Sequence, residues 1–314
     1  MLKDPLKHAE RVAGYIACYG DRHTQAYSDT SARLPLLVSV PHGGYAIPAE
    51  ISPFVNLDFK DIFYDSDPFT RIIYSFKDYV YSYHDSDIAR AVVDLNRSAV
   101  DLPPENPDGV VKSHTVFNKK VYRDWQQPSH EKTQQLLDRY YYPYHHAIDK
   151  NMKDPALLCG LDCHTMLELN PDSANSSDKD RPFICLSNCG DNNGNGEQTS
   201  CDQDLIQLLA ECLREQFPEE ADEIVLNTPF KGGHITRFHS RKMPWIQIEL
   251  NRRAYLQRPW FNPHECRVER QRLDYLRNKF LSALVLFCDE AESMYFSHMH
   301  NMARTSSTMV SFTL

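Results

Sequence analysis

The sequence predicts an α/β protein built on a largely buried sheet, and three observations lead there. Leu34–Val40 is a near-continuous run of Leu and Val, the composition of a parallel strand covered on both faces. Further strand candidates at Tyr79–Tyr83, Ala91–Leu95, Ala156–Leu161 and Pro244–Asn251 are interspersed with helical patterns at Lys132–Met152, Asp202–Gln216 and Phe261–Ala291. With 314 residues the chain is long for one domain, yet within range for a single large α/β unit.

The first strand candidate runs straight into Pro41, His42, Gly43 and Gly44. Ligands in open α/β sheets bind just beyond the carboxyl ends of strands. His42 stands at that place, with two glycines behind it that allow close approach; an ordinary loop histidine fits the same residues. Tyr64–Thr70 reads as a helix start, with Asp67 at the cap and Pro68 in the first helical position. Two acids two residues apart, Asp65 and Asp67, equally suit metal ligation. Arg90, Asn96 and Arg97 bracket the Ala91–Leu95 candidate and suit a two-point grip on a carboxylate, although surface ion pairs account for each arginine singly. Residues 101–110, rich in Pro, Asp and Gly, read as a loop.

Pro143 inside the Lys132–Met152 pattern predicts a kink, and His145 beside it reads as structural. Ala156–Leu161 is expected to end in Asp162, Cys163 and His164, a second histidine after a strand. Asp162 is placed to hold the outer nitrogen of His164 if the loop turns correctly, and strand alternation directs Cys163 away. Asn170–Ser200 is rich in Asn, Asp, Ser and Gly, which predicts a flexible insertion around a short strand at Phe183–Leu186. Phe230–Arg237 carries a Gly-Gly pair followed by His234 and Arg237, an anion-friendly loop or a plain hairpin turn. In Pro244–Asn251, Ile246, Ile248 and Leu250 alternate with Gln247, Glu249 and Asn251. Three polar side chains on one face of a covered sheet are costly unless they serve a site; the alternative is a solvent-facing edge strand. A short helix at Pro5–Tyr19 and a polar, frayed tail at Met299–Leu314 complete the expectations.

Composition narrows the function classes. A hydrophobic fraction of 41% and a charged fraction of 25% are ordinary for a globular protein. The net charge of -9 argues against nucleic acid as a partner, and no apolar run approaches the roughly 20 residues of a membrane helix. The start Met1-Leu2-Lys3-Asp4-Pro5 lacks the apolar centre of a signal peptide. The 9 cysteines show no CxxC pairing and read as reduced thiols, so the cytoplasm is the expected compartment. No Walker-type or GxGxxG phosphate loop occurs. Nothing in the sequence indicates an oligomeric state.

The segments VPHGG (Val40–Gly44), DSD (Asp65–Asp67), ARAVVDLNR (Ala89–Arg97), PYH (Pro143–His145), LDCHT (Leu161–Thr165), FKGGHITR (Phe230–Arg237) and IQIEL (Ile246–Leu250), taken in this order, resemble the N-formylglutamate amidohydrolase family. The resemblance runs from about Pro35 to Tyr255 and extends to zinc carboxypeptidases and aspartoacylase. It implies a single-domain, three-layer α/β/α sandwich with a mixed, mainly parallel central sheet. It also implies that His42 and His164 ligate zinc or another divalent metal. Tyr45 stands where the carboxypeptidase pattern has its Glu, so the acid ligand is expected to be Asp67, with Asp65 as the alternative. By the same resemblance Glu249 is a general base, and Arg90 steadies an oxyanion. Asn96, Arg97, His234 and Arg237 would hold substrate carboxylates. The implied reaction is hydrolysis of a small N-acyl amino acid, N-formyl-L-glutamate foremost. An amidase acting on peptide or cell-wall fragments and a non-catalytic metal-binding homologue are the competing readings.

Overall fold

The computed structural model describes residues 33–124, 126–168 and 181–309, with side chains as far as residue 293. The helix expected at Pro5–Tyr19 lies outside these residues, as do positions 169–180 of the expected insertion. The strands are β1 (Leu34–Val40), β2 (Val80–Asp85), β3 (Cys159–Met166), β4 (Ile184–Ser187), β5 (Ile224–Leu226) and β6 (Trp245–Asn251). They form one sheet in the order β2-β1-β3-β6-β4-β5. β2, β1, β3 and β6 run parallel, while β4 is antiparallel to β6 and carries β5 parallel to itself. The sheet is therefore mixed and mainly parallel, as expected.

Helices cover both faces. They are α1 (Phe59–Asp65), α2 (Thr70–Ile73), α3 (His130–Leu136), α4 (Tyr142–Asn151), α5 (Gln203–Gln216), α6 (His234–His239) and α7 (Arg270–Met309). Leu36, Val38 and Val40 of β1 share a core with Leu161, Ile246, Ile248, Leu250 and the apolar sides of α2, α5 and α7. Leu37 and Trp245 point the other way, into a second core with Leu136, Tyr144, Ile148 and Ile235 from α3, α4 and α6. Along that second face the register sets Leu37 beside Gly160 and Trp245, then Ser39 beside Asp162 and Gln247, then His164 beside Glu249. The face starts apolar and turns polar toward the carboxyl ends, which is where the site lies.

Several expectations are corrected by the backbone. Ala91–Leu95 is not a strand. Val92 and Val93 both return hydrogen bonds to the Ala89 carbonyl, so the run is a turn whose apolar side chains are buried in the second core. β3 extends through Met166, placing Asp162 and His164 inside the strand rather than after it. Gly232–Gly233 leads into helix α6, not a hairpin. Pro143 does not bend one continuous α-helix. A π turn at Leu137–Tyr141 opens the spiral ahead of it, and Pro143 falls in the first turn of α4, where its missing N–H costs little. β6 is interior, so its polar face is covered and not an edge. α7 continues through Met309, beyond the position where fraying was expected to begin.

His145 is a structural residue. Its Nε2 lies 3.0 Å from the Leu95 carbonyl oxygen and its Nδ1 2.9 Å from His239 Nε2, tying α4 to α6 and to the Ala91–Leu95 turn. Burial pushes His145 down to about 3 and His239 down to about 4. The unfolded chain takes up both protons near 6.5, and the folded chain only well below that. The stability from the pair is complete above about pH 6.5 and is lost as pH falls toward 4. Urea midpoints should drop between about pH 7.5 and pH 5, and drop less in His145→Gln, whose amide can still donate to Leu95. An equal drop in the variant would assign the acid sensitivity elsewhere.

Gly160 is the tightest point of the sheet face. A methyl group there would meet the Trp245 ring at 2.3–2.6 Å, and the ring is fully buried. Gly160→Ala should therefore cost about 1–3 kcal/mol through overpacking, read as a lower denaturant midpoint with an unchanged slope.

Candidate metal centre

The carboxyl ends of β1 and β3 bring two imidazoles together. His42 follows β1, and the chain turns immediately behind it. Gly44 lets the following segment pass close to the Ser86–Asp87 backbone, because a Cβ there would meet Asp87 at 2.2 Å. His164 projects from β3. The His42 and His164 Nδ1 atoms are 3.1 Å apart. Asp67 completes the group: its Oδ2 lies 3.1 Å from His164 Nδ1 and 3.5 Å from His42 Nδ1. All three residues are 2% exposed.

These three atoms fit a metal ion. Ligand bonds of about 2.0–2.2 Å in tetrahedral array place donor atoms roughly 3.3 Å apart, close to the separations observed. The donor chemistry agrees. An ionised Asp67 has no hydrogen to give, so one cation satisfies all three atoms where separate hydrogen bonds would compete. Both imidazoles are also held from behind. His42 Nε2 is 2.7 Å from Asp94 Oδ1, and His164 Nε2 is 3.1 Å from Asp162 Oδ2. Such carboxylate–histidine pairs fix the tautomer and aim the free nitrogen at a metal.

The acids behind the centre are themselves held. Asp94 accepts from Arg90 Nη2 at 2.9 Å and from the Asn96 N–H at 2.9 Å. Burial alone would raise its carboxyl, but Arg90, His42, Arg97 and Lys112 keep it well below the ordinary carboxylate range. Asp162 accepts from Ser39 Oγ at 3.1 Å, and Ser39 in turn meets Tyr144 Oη at 2.9 Å. Asp67 Oδ1 accepts from Arg252 Nη2 at 3.0 Å. Burial likewise works to raise Asp67, and the two histidines hold it well down. For His164, burial pulls the ring down while Asp162 and Asp67 together carry it well above its usual value.

Asp65 does not join the cluster. It faces the far side, where its Oδ1 accepts from the Val116 N–H at 2.7 Å and its Oδ2 is 3.7 Å from Lys112 Nζ. Asp67 also does not cap a helix with its side chain. α2 begins after Phe69, which sits at φ 64 and caps nothing, while the carboxylate turns to the imidazoles.

A cavity of about 710 Å³ opens over this group, lined among others by Arg90, Asn96, Arg97, Glu249 and Arg252. Glu249 is paired with His164 across the β3–β6 register and accepts from Gln247 Nε2 at 2.9 Å. Burial, against the pull of His164, pushes its carboxyl up to about 7. His234 and Arg237 are not brought to this wall. His234 Nε2 meets Tyr141 Oη at 3.1 Å and Arg237 Nε donates to the Gly232 carbonyl at 2.9 Å, because both ride on α6, whose amino end closes against Asn96 through the Ile235 N–H. Arg97 reaches the wall already engaged by Asp108.

Three participants escape the sequence reading. Asp94 lies in a run that looks like a strand, yet the turn there delivers it to His42. Arg252 directly follows β6, a position where the strand-end rule could have flagged it. Lys112 is fully buried and in ion-pair contact with Asp108 at 2.5 Å, near Asp94 at 3.5 Å; no local pattern announces it. The outer carboxylates yield a prediction. Asp162→Asn should weaken metal affinity about 10–100-fold, measured by competition with a chromogenic chelator. Unchanged affinity would mean that Asp162 does not orient His164.

The comparisons place the chain among known proteins. The profile of the N-formylglutamate amidohydrolase family matches residues 34–256. The chain is 27% identical over 236 residues to an N-formylglutamate deformylase of Pseudomonas putida, covering 72% of this chain and 83% of that one. It is 29% identical over 238 residues to an N-formylglutamate deformylase of Pseudomonas aeruginosa, covering 71% and 83%. The crystal structure of an N-formylglutamate amidohydrolase from Ralstonia eutropha superposes with a TM-score of 0.65 at 19% identity, over 83% of this chain and 95% of that one. With the family profile spanning both histidines, Asp67 and Glu249, the chain belongs to the N-formylglutamate amidohydrolase family.

Proposed function

We propose that this protein is a metal-dependent amidohydrolase that cleaves N-formyl-L-glutamate to glutamate and formate, with zinc as the metal. The observation that carries the reading is the three-atom set of His42, Asp67 and His164 beside a buried glutamate at the floor of one cavity. The relatives named N-formylglutamate deformylase support the choice of substrate.

His42, Asp67 and His164 would hold the metal, which when bound would supply Lewis-acid chemistry and a water activated at neutral pH. The protein's own groups divide the remaining work. Glu249 accepts the proton of the attacking water and returns it to the leaving nitrogen, the task of a general base and then acid. Its burial beside Gln247 fixes one oxygen and keeps the carboxyl near the protonation range such a shuttle needs. Arg90, clamped by Asp94, presents positive charge at the wall where the carbonyl oxygen becomes negative. Asn96 joins the amino end of α6 to the site through the Ile235 N–H, which keeps the cavity wall in register with the two histidines.

Glu249→Gln tests the assignment. The variant should retain one metal per chain by elemental analysis and lose about 10²–10⁴-fold in kcat on N-formyl-L-glutamate. If the metal-loaded wild type cleaves no N-acyl amino acid, the chain is a binding module and the proposal fails. Rates on short peptides equal to those on formylglutamate would favour a peptidase instead.

A further inference from the structure

Among the described residues, five cationic side chains line the cavity: Arg90, Arg97, Arg181, Lys231 and Arg252. Three of them are committed to acids: Arg90 and Arg252 to buried ones, Arg97 to the half-buried Asp108. Arg90 is held by Asp94 at 2.9 Å and Arg252 by Asp67 at 3.0 Å. Arg97 is held by the Asp108 carboxylate at 2.6 Å and by its carbonyl at 2.9 Å. Drawing Arg90 or Arg252 onto a substrate would strand a carboxylate away from water, a cost that few ligands offset, and Arg97 would have to give up its two contacts with Asp108.

The other two cations differ. Among the described residues, Arg181 Nη1 reaches only the Leu167 carbonyl, at 3.4 Å, and its guanidinium lies 5.1 Å over the Phe230 ring. Lys231 is the next residue after Phe230 and is exposed; among the described residues its ammonium has no hydrogen bond or ion pair. Arg181, Phe230 and Lys231 all line the same cavity. The backbone under them is fixed. The Phe230 carbonyl accepts from Ser187 Oγ at 2.7 Å, and the Gly233 N–H donates to Gln247 Oε1 at 2.5 Å. The Arg181 carbonyl accepts from Asn251 Nδ2 at 3.0 Å. The pair therefore stands on β4 and β6, at the more exposed level of the cavity, while the metal cluster lies at its buried floor.

We infer that Arg181 and Lys231 form the subsite for the outer carboxylate of a dicarboxylic N-acyl amino acid. The inference rests on the hydrolase reading above and names the residues that choose its substrate. An acyl amide seated at the floor extends its side chain toward the mouth, and a terminal carboxylate there meets two cations that form no ion pair with an acid among the described residues. A guanidinium offers paired donors and an ammonium a mobile one, a combination suited to a carboxylate. Arg97 and Arg237, expected from sequence to hold carboxylates, are already occupied or turned away.

The test uses binding, apart from turnover. Glutarate and butyrate are titrated calorimetrically into the metal-loaded full-length protein. Each ligand has one carboxylate for the floor, and only glutarate has a second. Wild type should prefer glutarate about tenfold or more, the scale of charge-assisted hydrogen bonds discounted for partial exposure. Lys231→Met and Arg181→Met should each reduce that preference severalfold, the double variant should abolish it, and Lys231→Arg should largely retain it. No glutarate preference in wild type, or an unchanged preference in both single variants, overturns the subsite. Hydrolysis of N-formyl-L-glutamate is followed in parallel. A glutarate preference lost in the variants, with no formylglutamate cleaved by wild type, would keep the subsite and remove the deformylase reading.

Discussion

A carboxylate buried without a partner is one of the most costly things a fold can contain, and here, among the described residues, five aspartates crowd one corner of the sheet. Asp65, Asp67, Asp94 and Asp162 are at most 2% exposed, and Asp108 stands beside them. Each is answered by a specific cation or imidazole: Lys112 for Asp108 and Asp65, Arg90 and His42 for Asp94, His164 for Asp162, Arg252 for Asp67. The partners come from turns, strands and loops far apart in sequence, so the charges are matched only when the whole fold is assembled. That requirement fixes where Arg90, Lys112 and Arg252 must sit. Each such pair contributes little net stability, but leaving one member unmatched would be strongly unfavourable, which makes the arrangement specific.

The same balance explains a division of labour along the cavity. At the floor every charge is spoken for, so the imidazoles and Asp67 hold fixed positions and the Glu249 carboxyl is raised mainly by burial. At the mouth, Arg181 and Lys231 form no ion pair with an acid among the described residues. Chemistry at the floor gains from rigidity, since preorganised groups need not rearrange during reaction. Recognition at the mouth gains from cations still able to exchange water for a ligand. The overall charge of -9 sharpens the contrast, because positive potential at the entrance would draw in an anion that the rest of the surface repels.

How much of this was legible follows from which signals are local. The β1 run and its terminal histidine were legible because a strand covered on both faces must be apolar throughout. The polar alternation of β6 was legible because Gln247, Glu249 and Asn251 have no reason to be buried together unless a site needs them. Asp162 and His164, two apart on one strand, necessarily share a face. The apolar turn at Ala91–Leu95 was misread because periodicity in a short hydrophobic run cannot separate a buried turn from a strand. Whether an arginine is free or committed was not legible at all: the partner of Arg97 is Asp108, across a loop whose path no spacing rule predicts, and the cation beside Asp65 is a lone buried lysine.

The placement of Asp67 shows how sequence and tertiary structure share the decision. Asp65 and Asp67 flank Ser66 and are chemically identical, and a strand-like backbone would aim both the same way. Asp65 instead closes α1, and its carboxylate accepts from the Val116 N–H. The chain then leaves the helix in extended conformation at Ser66, and the Asp67 N–H donates to the His42 carbonyl at 3.0 Å. That one backbone hydrogen bond ties the Asp67 residue to the turn after β1 and carries its carboxylate to the imidazoles. Pro68, which has no N–H of its own, and Phe69 at positive φ turn the chain away before α2 begins. The acid at the cluster is therefore selected by where a helix ends and which carbonyl its next N–H can reach, so a ligand set that looks ambiguous in one dimension is decided by a single turn of backbone.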